Sequence, residues 1–290
     1  MSSALETFQA VRPRLFGIAY RMLGTATEAD DVVQDAWVRW QGTDRSAVRE
    51  PAAFLATTVT RLAINTLESA RARREVYVGP WLPEPVATAE DPLLGAERNE
   101  ALSLAVLTLL EKLTPAERAA FVLHEAFDYP YRQVAEVLEI SEANARQLAT
   151  RARAHLDRER ATAVPEPERQ RLLTAFIAAA QDGDLEALEA VLAEDVVALS
   201  DGGGVVLAAR KPVVGRARVA QFLLGLLEKQ AADIENVMVE LNGDVAFVGL
   251  RNGEVMAAWT VEFGPKGITR WLNVMNPSKL SRIAAPSGLS

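Results

Sequence analysis

Near residue 190 the apolar residues of this 290-residue chain stop recurring at helical spacing and begin to alternate. One layer of structure cannot serve both periods, so the chain must hold helical bundles followed by a separate α+β domain. Beyond the change, AEDVVALSDGGG and VVLAARKPVVG read as strands separated by a glycine-rich turn, and Val219 to Leu227 reads as a helix. Strands are expected at 234–241, 244–250, 254–263 and 268–275, with Asn242-Gly243 and Asn252-Gly253 as hairpin turns. These predict a curved sheet, mixed or antiparallel. Whether Trp259, Glu262, Arg270 and Trp271 face its interior or its outer side depends on the pairing register.

Before the change, Phe8, Val11, Leu15, Ile18, Ala19 and Met22 mark a helix from Leu5 to Leu23, with Pro13 either inside it or at a fresh start. Val32, Val33, Ala36, Trp37 and Trp40 form the inner side of a second helix, leaving Asp30, Asp31, Gln34, Asp35 and Arg39 outside. Such an acidic face is ordinarily just solvated; the sharper reading is docking to a basic or polar partner helix. A third helix runs from Pro51 toward Ala72 on Phe54, Leu55, Val59, Leu62, Ala63 and Leu67. It leaves Thr57, Arg61, Asn65 and Glu68 outside, with Arg71, Arg73 and Arg74 at its end. Those arginines suit phosphate oxygens, and equally the negative end of a helix dipole.

Residues 79–95 carry four prolines and little periodicity, the composition of a linker or an extended docking strip. A free linker has no use for Trp81 and Leu82, so both are expected to rest in a groove elsewhere on the chain. Helices follow at 97–110 and 115–126, the latter opened by Thr114, Pro115 and Glu117. Tyr131 to Leu156 then reads as two short helices. Val134, Val137 and Leu138 line the first, Glu139 and Ile140 interrupt it, and Ser141 caps the second. With Ala145, Leu148, Ala149, Ala152 and Leu156 inside, Asn144, Arg146, Gln147, Thr150, Arg151 and Arg153 remain outside or at the borders, an arrangement that can enter a major groove. An ordinary helical hairpin with a wet face explains this segment equally well. A second boundary falls at 162–167, followed by helices carried by Leu172, Leu173, Phe176, Ile177 and Ala180 and by Leu185, Leu188 and Leu192.

The net charge of −8 argues against a chain that coats DNA unaided, but 141–160 holds five arginines against three acids, so any DNA surface is local and modest. Weak isolated affinity fits a subunit that reads DNA while a larger protein holds it. The chain has no cysteine and only two histidines, His124 and His155, so disulfides, thiolate chemistry and a zinc site of the usual kind are not expected, and no cofactor is predicted. No run approaches the apolar length of a membrane span, and the N-terminus lacks a basic segment followed by a long apolar one. A cytoplasmic protein with no membrane partner is expected. In the last domain Asp195 or Asp201 would serve as a general base if buried near a ligand, although loop geometry alone explains an Asp in a glycine-rich turn.

The order of these motifs is more specific than any one of them. LFGIAYRMLGTATEADDVVQDAWVRW and FLATTVTRLAINTLESARARRE resemble sigma region 2, and LTPAERAAFVLHEAFDYPYRQVAEVLEISEANARQLATRARAHL resembles sigma region 4. The segments YVGPWLPEP, DGGG, AARKPVVG and NPSKL are similar to those of the extracytoplasmic-function sigma factors that carry a fused C-terminal SnoaL-like domain, related to the ketosteroid-isomerase cone. The resemblance spans residues 5–280. It implies a multidomain chain: all-α sigma region 2 at 1–78, a proline-rich linker at 79–98, all-α region 4 with its helix-turn-helix at 99–160, a short linker at 161–167, and an α+β SnoaL-like cone with the tail at 168–290.

The resemblance also implies roles. Bacterial core RNA polymerase would dock on Asp30, Asp31, Gln34, Asp35 and Arg39. The −10 promoter element would be read by Arg61, Asn65 and the loop 42–50, with Arg71, Arg73 and Arg74 on phosphates; Glu68 departs from the more basic pattern of that surface. The −35 element would fall to Asn144, Arg146, Gln147, Thr150, Arg151 and Arg153. The C-terminal domain, not an enzyme in this reading, would regulate initiation in cis through an intramolecular contact between Trp81, Leu82, Pro83, Glu84 and Pro85 and the loop Asp201, Gly202, Gly203 and Gly204. Two alternatives stand beside it: a DNA-binding regulator that works without polymerase, and a C-terminal domain that binds or turns over a small molecule.

Overall fold

The computed structural model describes residues 4–88, 102–159, 164–230 and 234–285, without the side chains of 70–73, 75, 159, 229 and 230. Two compact units result, one made of the chain up to 76 together with 86–159, the other of 77–85 together with the chain from 160 onward.

The first unit is helical. Helices α1 (Ala4–Leu23), α2 (Ala26–Gln41) and α3 (Pro51–Glu75) each bury an apolar stripe, which includes Phe8, Leu15 and Ile18, then Val32, Val33, Ala36 and Trp40, then Leu55, Val59 and Leu67. Trp40 ties them together: its Nε1 donates to the Ala4 carbonyl at 3.0 Å, and its ring lies 5.8 Å from Phe54. α1 runs unbroken through Pro13, so no fresh start occurs there. Burial of the stripe on both sides of Pro13 offsets the single backbone bond that proline removes. Pro51 stands in the first turn of α3, where a missing N–H costs little.

The unit continues with α4 (Leu104–Leu110), α5 (Pro115–Phe121), a π turn (Val122–Ala126), α6 (Tyr131–Leu138) and α7 (Glu142–Glu159). The helix expected over 97–110 is seen from Leu104; residues 97–101 lie outside the described residues, as does the linker over 89–98. Thr114 and Glu117 open α5 with a capping box, and the expected helix over 115–126 changes to π winding at Val122. α6 ends on Glu139 in the left-handed region, φ 56°, and Ser141 Oγ accepts from the Asn144 backbone N–H at 3.2 Å to start α7. Ala145, Ala149, Ala152 and Leu156 of α7 belong to the same buried core as Leu15, Val33 and Val59.

The second unit contains α8 (Glu166–Asp182), α9 (Leu185–Val191), β1 (Leu192–Asp201), β2 (Val213–Val214), α10 (Arg216–Gln230), β3 (Glu235–Leu241), β4 (Asp244–Arg251), β5 (Glu254–Gly264), β6 (Gly267–Val274) and a short α11 (Pro277–Leu280). The six strands form one mixed sheet in the order β2-β1-β6-β5-β4-β3, with β1 parallel to β6 and every other pair antiparallel. Register shifts within β1, β4 and β5 bend it. Asn242, Gly243, Asn252 and Gly253 all have positive φ, as two-residue hairpin turns require.

One expected strand is largely missing. Of 205–215 only Val213 and Val214 pair, because the Val205 and Val206 amides both donate back to the Gly202 carbonyl in a turn and cannot join a ladder.

The register settles the two sides of the sheet. Trp259 stands opposite Phe247 and Asn273, and Trp271 opposite Ala198 and Val261, so both tryptophans share the face covered by α8 and α10. Glu262 and Arg270 pair with each other on the opposite face, 3.4 Å apart, with side chains only 14% and 17% exposed.

Candidate functional site

α7 carries the polar surface expected of a groove-reading helix. Its underside is buried alanine and leucine, and Asn144, Arg146, Gln147, Thr150, Arg151 and Arg153 are exposed. Some are already engaged: Arg146 is 3.1 Å from Glu142 and 5.2 Å above the Tyr131 ring, and Thr150 Oγ1 donates to the Arg146 carbonyl at 2.8 Å. Arg153 pairs with Glu125, whose hydrogen bond and charge push its guanidinium pKa above the ordinary value. The side chains of Asn144, Gln147 and Arg151 make no hydrogen bond or ion pair among the described residues. Gln147 and Arg151 stand four residues apart, so an amide and a guanidinium fork project side by side.

α2 exposes Asp31, Gln34, Asp35 and Arg39, while Asp30 is half-buried and bonded to Arg12 at 3.0 Å. Val38, which the sequence reading passed over, is 58% exposed on the side it shares with Asp31, Gln34 and Asp35. Its signal was present: it lies off the buried stripe and follows Trp37 within an otherwise polar surface.

The surface of α3 is divided. Asn65 is exposed, whereas Arg61 reaches the end of α6: Nε donates to the Val137 carbonyl at 2.9 Å, and Nη2 donates to the Glu136 carbonyl at 3.1 Å and lies 2.9 Å from Glu139. Helix C-termini leave carbonyls without partners and carry partial negative charge, which a guanidinium satisfies on both counts. Arg74 is 15% exposed, donates to the Leu23 carbonyl at 2.6 Å and pairs with Glu111. The buried Arg118 takes the other Glu111 oxygen at 2.7 Å and bonds the Met22 and Leu110 carbonyls. Arg61 and Asn65, four residues apart, share a face of α3, while Arg74 is drawn to Leu23 and Glu111; the side chains of Arg71 and Arg73 lie outside the described residues. The loop 42–50 is mostly exposed, and within it Asp44 accepts from the Ser46 hydroxyl at 2.7 Å and the Ser46 backbone N–H at 3.0 Å, which hold its carboxyl below the usual range.

In the second unit, residues 77–85 lie along a buried polar hub at the end of β1. Asp201 is completely buried. Its Oδ1 accepts from the Tyr77 hydroxyl at 2.5 Å and the Gly203 N–H at 3.0 Å, and its Oδ2 accepts from the Leu82 N–H at 2.9 Å and Lys279 Nζ at 2.7 Å. Lys279 also donates to the Leu82 carbonyl and lies 4.1 Å from the centre of the Trp81 ring. Asn276 Nδ2 donates to the Tyr77 hydroxyl at 2.8 Å. Burial, then the Asp201 hydrogen bond, push the Tyr77 phenol well above its ordinary value of 10.0. Leu82, Pro83, Glu84 and Pro85 are buried, and Glu84 lies 3.6 Å from Arg282. The loop needs its glycines: a Cβ on Gly202 would sit 2.4 Å from the Val206 carbonyl oxygen, and one on Gly203, where φ is 62°, would sit 2.4 Å from Asn276 Nδ2. Tyr77, Asn276 and Lys279 were missed as partners of Asp201, although YVGPWLPEP and NPSKL contain them.

Of the two carboxylates weighed as a general base, Asp195 is exposed and Asp201 is taken up by the hub, and neither lines the cavity between the sheet and helices α8 and α10. Among the described residues no cluster of three His, Asp or Glu could hold a metal, and no helix is long and apolar enough to cross a membrane.

Comparison with known proteins places these surfaces in context. Residues 7–73 match the family model of Sigma-70 region 2, and residues 103–156 match that of Sigma-70 region 4. The ECF RNA polymerase sigma factor SigJ of Mycobacterium tuberculosis is 37% identical over 284 residues, 89% of this chain and 91% of its own length. The probable ECF RNA polymerase sigma factor SigI of the same organism is 32% identical over 286 residues, 97% of this chain and 96% of its own. The crystal structure of the Mycobacterium tuberculosis SigJ protein superimposes with a TM-score of 0.78 at 32% identity, covering 97% of this chain and 100% of that one.

Proposed function

This chain belongs to the extracytoplasmic-function RNA polymerase sigma factors, with sigma regions 2 and 4 fused to a SnoaL-like C-terminal domain, and on that footing we propose how its surfaces divide the work. Core polymerase docks on the α2 face of Asp30, Asp31, Gln34, Asp35 and Arg39, and buries Val38 at its centre. α7 reads the −35 element. Asn65, the loop 42–50 and the arginines of α3 engage the −10 element. Neither reader needs to bind DNA tightly alone, because polymerase holds both and raises the effective concentration of the second once the first has bound. Capture of unpaired −10 bases then offsets the stacking lost on opening.

The observation that carries this reading is the exposed set Asn144, Gln147 and Arg151, which make no bond within the described protein and stand on a helix whose underside is fully buried. Arg61 and Arg74, by contrast, are bonded to protein carbonyls and carboxylates, so contact with DNA through them requires an exchange of those partners for phosphate oxygens.

The C-terminal domain regulates in cis rather than by catalysis. The chain that joins region 2 to region 4 passes through residues 77–85, and the Asp201–Lys279 hub holds that stretch. Holding it shortens the free tether between the two promoter readers and so tunes their reach. Purified core polymerase on a promoter library tests the whole reading: promoter-dependent initiation is expected only when this protein and core are both present. Operator binding by the isolated protein without polymerase would favour the polymerase-independent regulator instead. For regulation, full-length protein, a truncation after about Ala163 and a DGGG-loop substitution are expected to differ in polymerase affinity or output. Equal values across the three would remove the cis role.

A further inference from the structure

Tyr131, which opens α6, belongs to none of the surfaces assigned above. It is half-buried, and its ring stacks on His124 with centres 3.9 Å apart and planes 25° from parallel. His124 comes from the π turn and is itself fixed. Its Nδ1 lies 2.9 Å from the Tyr129 carbonyl oxygen, and because a carbonyl only accepts, Nδ1 carries the proton. Over this braced ring lies the guanidinium of Arg146 from α7, its central carbon 5.2 Å from the ring centre. Glu142, one turn earlier on α7, accepts from Arg146 Nη2 at 3.1 Å. Arg146 is thus held by two contacts although its side chain is 62% exposed, and only one of its N–H groups is spent in doing so.

Packing explains why Tyr131 lies against His124. It does not explain the guanidinium: an exposed arginine loses rotamer freedom when pinned, and an exposed ion pair returns little for it. The restraint has a use where an arginine must present its planar fork to a base edge. A bidentate contact to O6 and N7 of guanine requires the plane and the direction of the guanidinium together, and a side chain already held loses less freedom on binding. The other two arginines of this surface differ: Arg151 has no partner among the described residues, and Arg153 is paired with the Glu125 carboxylate. We propose that Tyr131 is a positioning residue for promoter recognition, one that aims Arg146 at a single guanine of the −35 element and so sets specificity without touching DNA. The inference rests on α7 as the −35 reader and adds which arginine reads a base and what orients it.

The test measures initiation by full-length protein with core polymerase across a library randomised in the −35 element. Arg146→Ala is expected to lose about 5–150-fold of the preference for guanine at one position. Tyr131→Leu keeps apolar bulk against His124 but offers no π face. It is expected to lose about 2–5-fold at that same position, the share one exposed cation–π contact confers. Tyr131→Phe should keep the preference, and Tyr131→Leu combined with Arg146→Ala should lose no more than Arg146→Ala alone. A tyrosine that only packs would instead lower output evenly over the library, in either background. That result would overturn the proposal, as would an Arg146→Ala that affects all −35 positions alike. One readout needs no tyrosine variant, and so stands even if Tyr131→Leu fails to fold. The Tyr131 ring current should shift the side-chain NMR protons of Arg146 upfield in the unmodified protein, with the signal identified by its loss in Arg146→Ala; an unshifted signal would also overturn the proposal. Absence of promoter-dependent initiation by the unmodified protein would remove the sigma reading together with this one, whereas the other adverse outcomes remove this one alone.

Discussion

Lys279 Nζ lies 2.7 Å from Asp201 Oδ2, with the carboxylate side chain wholly buried and the ammonium side chain 7% exposed. The two charges also hold both backbone groups of Leu82, whose N–H donates to Asp201 and whose carbonyl accepts from Lys279. One ion pair therefore fixes the end of β1, the start of α11 and the segment 77–85 together.

Removing one member of such a pair strands the other in a medium that cannot solvate it. Lys279→Met is expected to destabilise the C-terminal unit by about 3–5 kcal/mol. Adding Asp201→Leu should not restore it, because the Tyr77 hydroxyl and the Leu82 and Gly203 N–H groups then lose their acceptor. Urea unfolding of the single and double variants checks both statements.

Gly203 and Gly183 both have positive φ, 62° and 68°, but only Gly203 is crowded. Gly183→Ala meets nothing within 4 Å and should cost about 1 kcal/mol from backbone strain alone. Gly203→Ala adds displacement of Asn276, which releases the Tyr77 hydroxyl, so its cost should exceed that of Gly183→Ala by at least about 1 kcal/mol. Thermal melts of the two variants, run side by side, separate strain from crowding.

Tyr77 gives the C-terminal unit an alkaline limit. Its folded pKa lies above the ordinary 10.0, so the protonated phenol is favoured by folding. The resulting stability is complete below pH 10, and it is lost as pH rises toward the folded pKa because the unfolded chain releases its proton first. Stability measured from pH 8 to 11 should fall above pH 10, and Tyr77→Phe should flatten that fall.

Arg61 and the end of α6 form a releasable contact. Because Arg61 is partly exposed, Arg61→Ala is expected to weaken the association of α3 with α6 by only about 1 kcal/mol. The chain has no cysteine, so spin labels at Ser69→Cys and Arg132→Cys report the distance without interference. A broader, longer distance distribution in the variant is expected, and an unchanged one would mean that the buried Arg118 and Arg74 contacts suffice.

On α7, Arg151→Ala should lower initiation at the cognate promoter. If Arg151 contacts a base, the loss is about 1–3 kcal/mol of discrimination at a single −35 position. If it contacts phosphate, the loss is uniform across sequences and the salt dependence becomes shallower. Initiation across a −35 library at two salt concentrations distinguishes the two.

Local signals carried much of the fold. The two helices of 131–156 end on Glu139 and restart at Ser141 because a left-handed stop and a side-chain cap are near-neighbour chemistry. The Asn-Gly turns and the alternation of 254–263 likewise need no distant partner. Pro13 and the run 205–212 behaved otherwise. Proline's local penalty was outweighed by burial on both sides of it, and the valines after the glycines spent their amides on a turn.

The sites divide along the same line. Which residues are polar on α2 and α7 follows from a 3.6-residue period, and so could be read directly from residue order. That Arg61 meets carbonyls 75 and 76 positions away, that Asp201 meets Tyr77 and Lys279, and that Asn273 lines a cavity while Glu262 and Arg270 pair on the other face of the sheet could not. Periodicity specifies a side chain's direction within its own element. Pairing between elements distant in the chain depends on register and packing, which a one-residue slip would reverse and which no local pattern encodes.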